Sequence, residues 1–132
     1  MKKILIVDDS KTIANAMQRF LAAAGYEVDT RYESETFFDG RVTIFDPDLL
    51  ILDINMPNFD GFHILEMARK LKTCPRAKIM MCSTKIFEQD LNRAKSLGAD
   101  DFLIKPFNAD QLLSKVSEVI GAPDLGAAIN PV

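Results

Sequence analysis

Four short apolar runs constrain this chain more than any other feature: Ile4-Leu5-Ile6-Val7, Leu49-Leu50-Ile51-Leu52, Ile79-Met80-Met81-Cys82 and Phe102-Leu103-Ile104. Each stops at a polar residue, in turn Asp8 with Asp9, Asp53, Ser83 and Lys105. A strand with one wet face alternates apolar with polar residues. An uninterrupted run has two apolar faces, as in a parallel sheet covered by helices on both sides. Parallel neighbours need crossovers of about a dozen residues or more, and the intervals between these runs are long enough to hold them. Ligands of such open sheets bind outside the carboxyl ends of the strands. The pattern therefore gathers three carboxylates, one hydroxyl and one ammonium on a single rim.

The intervals read as helices. Residues 11–24 put Ile13, Met17, Phe20, Leu21 and Ala24 on one face, and Gly25 follows where a left-handed cap is favoured. Residues 26–31 alternate Tyr26, Val28 and Thr30 with Glu27, Asp29 and Arg31, which predicts a strand with one wet face at a sheet edge. A short helix is expected over 34–43, carrying Phe37, Phe38 and Val42 around Gly40. The stretch from Met56 to Gly61 is a loop before a helix over 61–72, with Ile64, Leu65, Ala68 and Leu71 inward. A strand over 77–82 leads to a helix over 86–97 that ends at Gly98. A strand over 101–104 leads to a helix over 109–120, opened by a capping box of Asn108 and Gln111 and closed by Gly121. Five βα units predict a flavodoxin-like, doubly wound α/β sheet, and analogy with such folds supplies the strand order 2-1-3-4-5. One domain is expected over 1–121, with 122–132 as a tail or the start of a linker.

Several function classes fall away on composition. With a net charge of −3, the chain lacks the basic footprint of a nucleic-acid binder. No apolar stretch approaches the roughly 20 residues that cross a bilayer, so a cytoplasmic location without membrane contact is expected. One histidine, and two cysteines (Cys74 and Cys82) without CxxC spacing, cannot make a zinc site. The cysteines and the six methionines read as core filling. His63 has no nucleophile motif for company and reads as an exposed helix residue.

Carboxylates crowded on one rim repel unless a cation joins them. Mg²⁺ suits an oxygen-only set that also faces phosphate, and a lysine can hold an anion as a point charge. A carboxylate can attack phosphorus to form an aspartyl-phosphate. Asp8-Asp9, Asp53-x-x-Met56-Pro57, Asp60-Gly61, Ser83 and Lys105-Pro106 together, over about residues 2–121, resemble the receiver domain of bacterial two-component response regulators. The resemblance implies that Asp53 is the phospho-acceptor. It implies that Asp9, Asp53 and the backbone carbonyl of Asn55 coordinate Mg²⁺, with Asp8 assisting through water. Lys105 and Ser83 would contact the phosphoryl oxygens, with Thr84 beside them, and the Lys105-Pro106 bond is often cis in such domains. Ser83 and Phe102 would form the switch, in which a phenylalanine lacks the hydroxyl that a tyrosine there would offer a partner. The implied donor is a phosphohistidine on a sensor histidine kinase or phosphotransfer protein, and the implied output is contact with a downstream protein. Such a chain catalyses only its own phosphorylation and dephosphorylation.

Three other readings compete. A Mg²⁺-dependent aspartyl phosphatase like the haloacid-dehalogenase enzymes would need a second acid two residues after the nucleophile, where this chain has Asn55. A phosphate-independent adaptor would not need Asp8, Asp9, Asp53, Ser83 and Lys105 all intact. Flavin or dinucleotide binding would need a glycine-rich phosphate loop, and there is none. The sequence does not choose between a stand-alone regulator and the receiver part of a longer protein.

Overall fold

The structure is a computed structural model that describes residues 1–85 and 87–123. Its elements alternate as the pattern predicts: β1 (Lys3–Val7), α1 (Lys11–Ala24), β2 (Glu27–Arg31), a 3-10 turn (Ser34–Phe38), α2 (Arg41–Phe45), β3 (Leu49–Asp53), α3 (Gly61–Leu71), β4 (Lys78–Ser83), α4 (Glu88–Ser96), β5 (Asp101–Ile104) and α5 (Ala109–Ile120). The five strands form one parallel sheet in the order β2-β1-β3-β4-β5. Most of the expected tail, residues 124–132, lies outside the described residues, as does Ile86.

Side-chain alternation sends each apolar run to two cores. Leu5, Val7, Leu50, Leu52, Ile79 and Met81 pack with Val42, Phe62, Ile64, Leu65 and Ala94 beneath α2, α3 and α4. Ile4, Ile6, Leu49, Ile51, Met80 and Cys82 pack with Met17, Leu21, Leu112 and Val116 beneath α1 and α5. Each fully buried side chain contributes about 1.5–3 kcal/mol of transfer free energy, so these runs hold the sheet between its helices. Both cysteines are free and buried. Burial pushes the Cys74 thiol up to about 11 and the Cys82 thiol up to about 12.

Caps fix the helix ends where the sequence puts them. Gly25 closes α1 at φ 111°. Asn108 and Gln111 exchange two bonds at 2.8 and 2.9 Å to open α5. Among the described residues, no helix is long and apolar enough to cross a membrane.

Several expectations need correction. The helix expected over 34–43 is broken at Gly40 (φ 90°), and the chain restarts there as α2. Helix α4 begins at Glu88 rather than 86. Leu71, expected inward, is 58% exposed because α3 ends beside it at left-handed Lys72. Arg31, expected on a wet face, is buried, its guanidinium folded back onto Asp29 and the Thr30 carbonyl. Ile104 is 58% exposed, because the strand order leaves β5 at an edge where its last residue lacks a covering helix.

Candidate functional site

Register decides what meets on the rim. Val7 pairs with Leu52, so Asp8 and Asp53 each lie one residue past that pair, side by side. Asp53 also pairs with Cys82, which puts Ser83 one step further along β4, and Ser83 pairs with Ile104, one step before Lys105. The turn after β1 separates the acidic pair. Asp8 points inward and accepts the Ser10 N–H at 2.9 Å, while Asp9 is exposed. Ser10 in turn accepts from Ile13 as the cap of α1.

Lys105 bridges two buried carboxylates, its Nζ 2.8 Å from Asp8 Oδ2 and 3.2 Å from Asp53 Oδ1. Oxygens of Asp8, Asp9 and Asp53 all lie within 4.8 Å of one another. Burial is the main force on Asp53, and the Asp8 charge adds to it. Lys105 opposes both, and the net effect raises the carboxyl from 3.8 to about 7. Burial also works against the Lys105 ammonium, but its hydrogen bond to Asp8 and the charges of Asp8 and Asp53 outweigh that and raise its pKa. The proton therefore stays on the lysine. The donor set around the rim is all oxygen, which fits a hard divalent cation such as Mg²⁺.

The loop after β3 folds back tightly beneath Asp53. Gly61 donates to the Ile54 carbonyl at 2.8 Å, and a Cβ at 61 would stand 2.5 Å from the Asp53 carbonyl oxygen. Asp60 caps α3 through the His63 N–H at 2.9 Å. The Asp60-Gly61 pair is thus a cap followed by the one side-chain-free residue that the close approach permits.

Ser83 is buried, and its hydroxyl faces its own loop. It donates to the Lys85 carbonyl at 3.0 Å and accepts from Lys85 N–H and Asn55 Nδ2, both at 3.3 Å. The Lys105-Pro106 peptide is cis. Thr84 is exposed and, with Lys105, borders an apolar cavity of about 300 Å³ whose far wall is Ile13, Met17 and Phe20 of α1. That wall explains why Phe20, expected in the α1 stripe, is 39% exposed.

The carboxylates, Lys105 and Ser83 thus share the rim. Phe102 lies further back on β5, opposite Met81 and partly buried against the α3 and α4 core. His63 is exposed and stacks on Phe59, with centroids 4.8 Å apart. Sequence reasoning missed the Asn55 amide on Ser83 and the cavity beside Thr84. Neither has a periodic signal, since both arise where separate loops meet.

The comparisons with known proteins agree with this geometry. A family model described as the response regulator receiver domain matches residues 4–117. The chain is 33% identical over 120 residues to the sensory transduction protein BceR of Halalkalibacterium halodurans, covering 91% of this chain and 50% of that protein. It is 31% identical to the response regulator ArlR of Staphylococcus aureus, covering 91% and 53%. The chain thus spans about half the length of these curated relatives. Among solved structures, the chemotaxis response regulator CheY4 of Vibrio cholerae is 32% identical with a TM-score of 0.82, covering 90% of this chain and 98% of that one. A CheY-like receiver domain protein from Methanospirillum hungatei is 30% identical, covering 89% and 92%, with a TM-score of 0.81. The match runs through every strand and reaches into the last helix, the same span that carries the rim carboxylates and Lys105, and the chain belongs to the response regulator receiver domain family.

Proposed function

We propose that this chain is a phosphorylation-operated switch in which Asp53 accepts a phosphoryl group from a phosphohistidine on a sensor histidine kinase or phosphotransfer protein. The observation that carries the reading is the buried bridge of Lys105 between Asp8 and Asp53, with Asp9 alongside. An Asp53 carboxylate oxygen attacks phosphorus, the bond from phosphorus to the donor imidazole breaks, and its electron pair returns to the ring nitrogen. Asp8, Asp9, Asp53 and the Asn55 carbonyl would hold Mg²⁺, which when bound offsets charge on the phosphoryl oxygens. Lys105 holds one phosphoryl oxygen as a point charge, Ser83 donates a hydrogen bond to another, and Thr84 flanks the group.

The phosphoryl group, with about −1.5 to −2 of charge in place of the carboxylate's single one, then draws Ser83 inward and lets Phe102 follow, which changes the surface of α4, β5 and α5. A partner protein reads that surface by shape and apolar contact, since the Phe102 ring has no hydroxyl. The domain, residues 1–121, works in the cytoplasm without nucleic-acid or membrane contact of its own. It catalyses only its own phosphorylation and dephosphorylation.

The test is incubation with acetyl phosphate, or with beryllofluoride, in the presence of Mg²⁺. Wild type gains one label that Asp53→Asn lacks, and chelation of the metal abolishes it. A label that persists without Mg²⁺, or that maps to His63, overturns the mechanism.

A further inference from the structure

A serine hydroxyl has one hydrogen to donate and two lone pairs to offer. At Ser83 all three are in use: the hydrogen goes to the Lys85 carbonyl, and the lone pairs take Lys85 N–H and Asn55 Nδ2. Ser83 is only 1% exposed, so solvent does not compete for these positions. To donate to a group on Asp53 the hydroxyl must give up the Lys85 carbonyl, and the two bonds it accepts hold the oxygen against that turn.

The two bonds to Lys85 are local and use backbone atoms that any sequence would supply. The third comes from a different strand. Asn55 lies two residues beyond Asp53, and the Ile54 N–H bonds the Cys82 carbonyl at 3.0 Å, which holds the β3 loop against the end of β4. We propose that the Asn55 side-chain amide is a positioning residue that latches the Ser83 hydroxyl in its resting orientation. It thereby sets how readily the loop after β4 responds when Asp53 is loaded. The functional half of this inference rests on Asp53 as phospho-acceptor, whereas the latch itself exists in the unloaded protein.

Geometry favours this role over an incidental contact of a solvent-facing amide. An exposed amide gains little by reaching a buried hydroxyl at 3.3 Å unless the loops hold it there. Asn55 itself is exposed, so replacing it opens no cavity. Its backbone carbonyl, the proposed metal ligand, survives every substitution. One neutral hydrogen bond corresponds to roughly a 2–10-fold change in an equilibrium. The latch is therefore a fine adjustment of the switch and not an on–off element.

The experiment is a double-mutant cycle of Asn55→Ala and Ser83→Ala, with Asn55→Gln as a variant that retains an amide donor. The primary readout is the NMR signal of the Lys85 amide, whose N–H points at Ser83 Oγ. The second is the apparent affinity for beryllofluoride at saturating Mg²⁺. In unloaded Asn55→Ala the Lys85 signal should move toward its position in beryllofluoride-loaded wild type, and loading should tighten roughly 2–10-fold. Asn55→Gln should return the signal toward the resting position. In the Ser83→Ala background, Asn55→Ala should change neither readout.

An Asn55→Ala effect of equal size in both backgrounds, or a Lys85 amide that does not respond, overturns the latch. If wild type fails to load at all, the phospho-acceptor reading has failed. The unloaded Lys85 shift caused by Asn55→Ala, compared with and without Ser83→Ala, needs no loading and still decides for or against the latch.

Discussion

Asp53 should cost the folded protein stability at neutral pH, and replacing it by the isosteric amide should return that stability. Its carboxyl is raised from 3.8 to about 7 by burial and by Asp8, despite Lys105. A carboxyl with a raised folded pKa favours folding while it is protonated. That contribution is complete below the unfolded value near 4 and is lost as pH climbs through about 7. Each tenfold step in proton affinity is worth about 1.36 kcal/mol, so the loss across this window has a ceiling of roughly 4 kcal/mol. Tight interaction with Asp8 and Lys105 and relaxation of the rim reduce it, and about 2 kcal/mol is the expected gain for Asp53→Asn at pH 8. The assay is urea unfolding, followed by far-ultraviolet circular dichroism in chelator without Mg²⁺, at half-unit steps from pH 4.5 to 8.5. The two proteins should be equally stable at the acid end and separate progressively as pH rises, with the variant above. A variant less stable than wild type at pH 8, or a gain of constant size at all pH values, would show that Asp53 is neither desolvated nor crowded as its surroundings require.

Other consequences of the same geometry can be measured directly. Mg²⁺ competes with the Asp53 proton, so its affinity by titration calorimetry should fall below pH 7, on the order of 30-fold between pH 8 and pH 5.5. Gly61→Ala forces a methyl group to within 2.5 Å of the Asp53 carbonyl oxygen. Urea unfolding should show a loss of roughly 1–3 kcal/mol, with slower labelling from acetyl phosphate because the proposed acceptor, Asp53, is displaced. The N-cap residue of α4 is Phe87, which is 60% exposed and has no side-chain oxygen to cap the helix. Phe87→Asp should add about 0.5–2 kcal/mol and slow hydrogen exchange of the first α4 amides.

How legible each part was in the sequence follows from how local its cause is. The strands were legible because a helix-covered parallel sheet demands unbroken apolar runs, and Leu49 to Leu52 alternate between two dry cores as that demand requires. The rim was legible for a related reason: a charge stops the run where the strand leaves the cores. Arg31 was placed wrongly because alternation reports only the sheet faces. Its guanidinium folds back onto Asp29 and the Thr30 carbonyl, a side-chain contact that no alternation within 26–31 could foretell. Leu71 kept the helical spacing, but the spacing does not report that α3 ends beside it at left-handed Lys72. The need for glycine at 61 comes from the Asp53 carbonyl, a neighbour in space set by the fold of the whole loop.

Charge balance links the rim to the switch. Metal binding requires its carboxylate ligands deprotonated, and in that state three carboxylates and one ammonium leave the rim two charges negative, which a divalent cation neutralises. On the proposed reading, phosphorylation replaces one carboxylate charge by about −1.5 to −2, so the loaded rim with its metal is negative again by up to about one charge. Lys105 is already committed to two carboxylates and cannot serve every new oxygen. A neutral donor at the rim is Ser83, whose hydrogen now rests on the Lys85 carbonyl. A hydrogen bond to a charged acceptor is worth about 1.5–3 kcal/mol, against about 1 kcal/mol for a neutral one. The phosphoryl oxygen therefore outcompetes the carbonyl, but by a margin small enough for one side-chain amide on Ser83 to adjust. A switch with that margin answers to loading of Asp53 while still being tunable from Asn55.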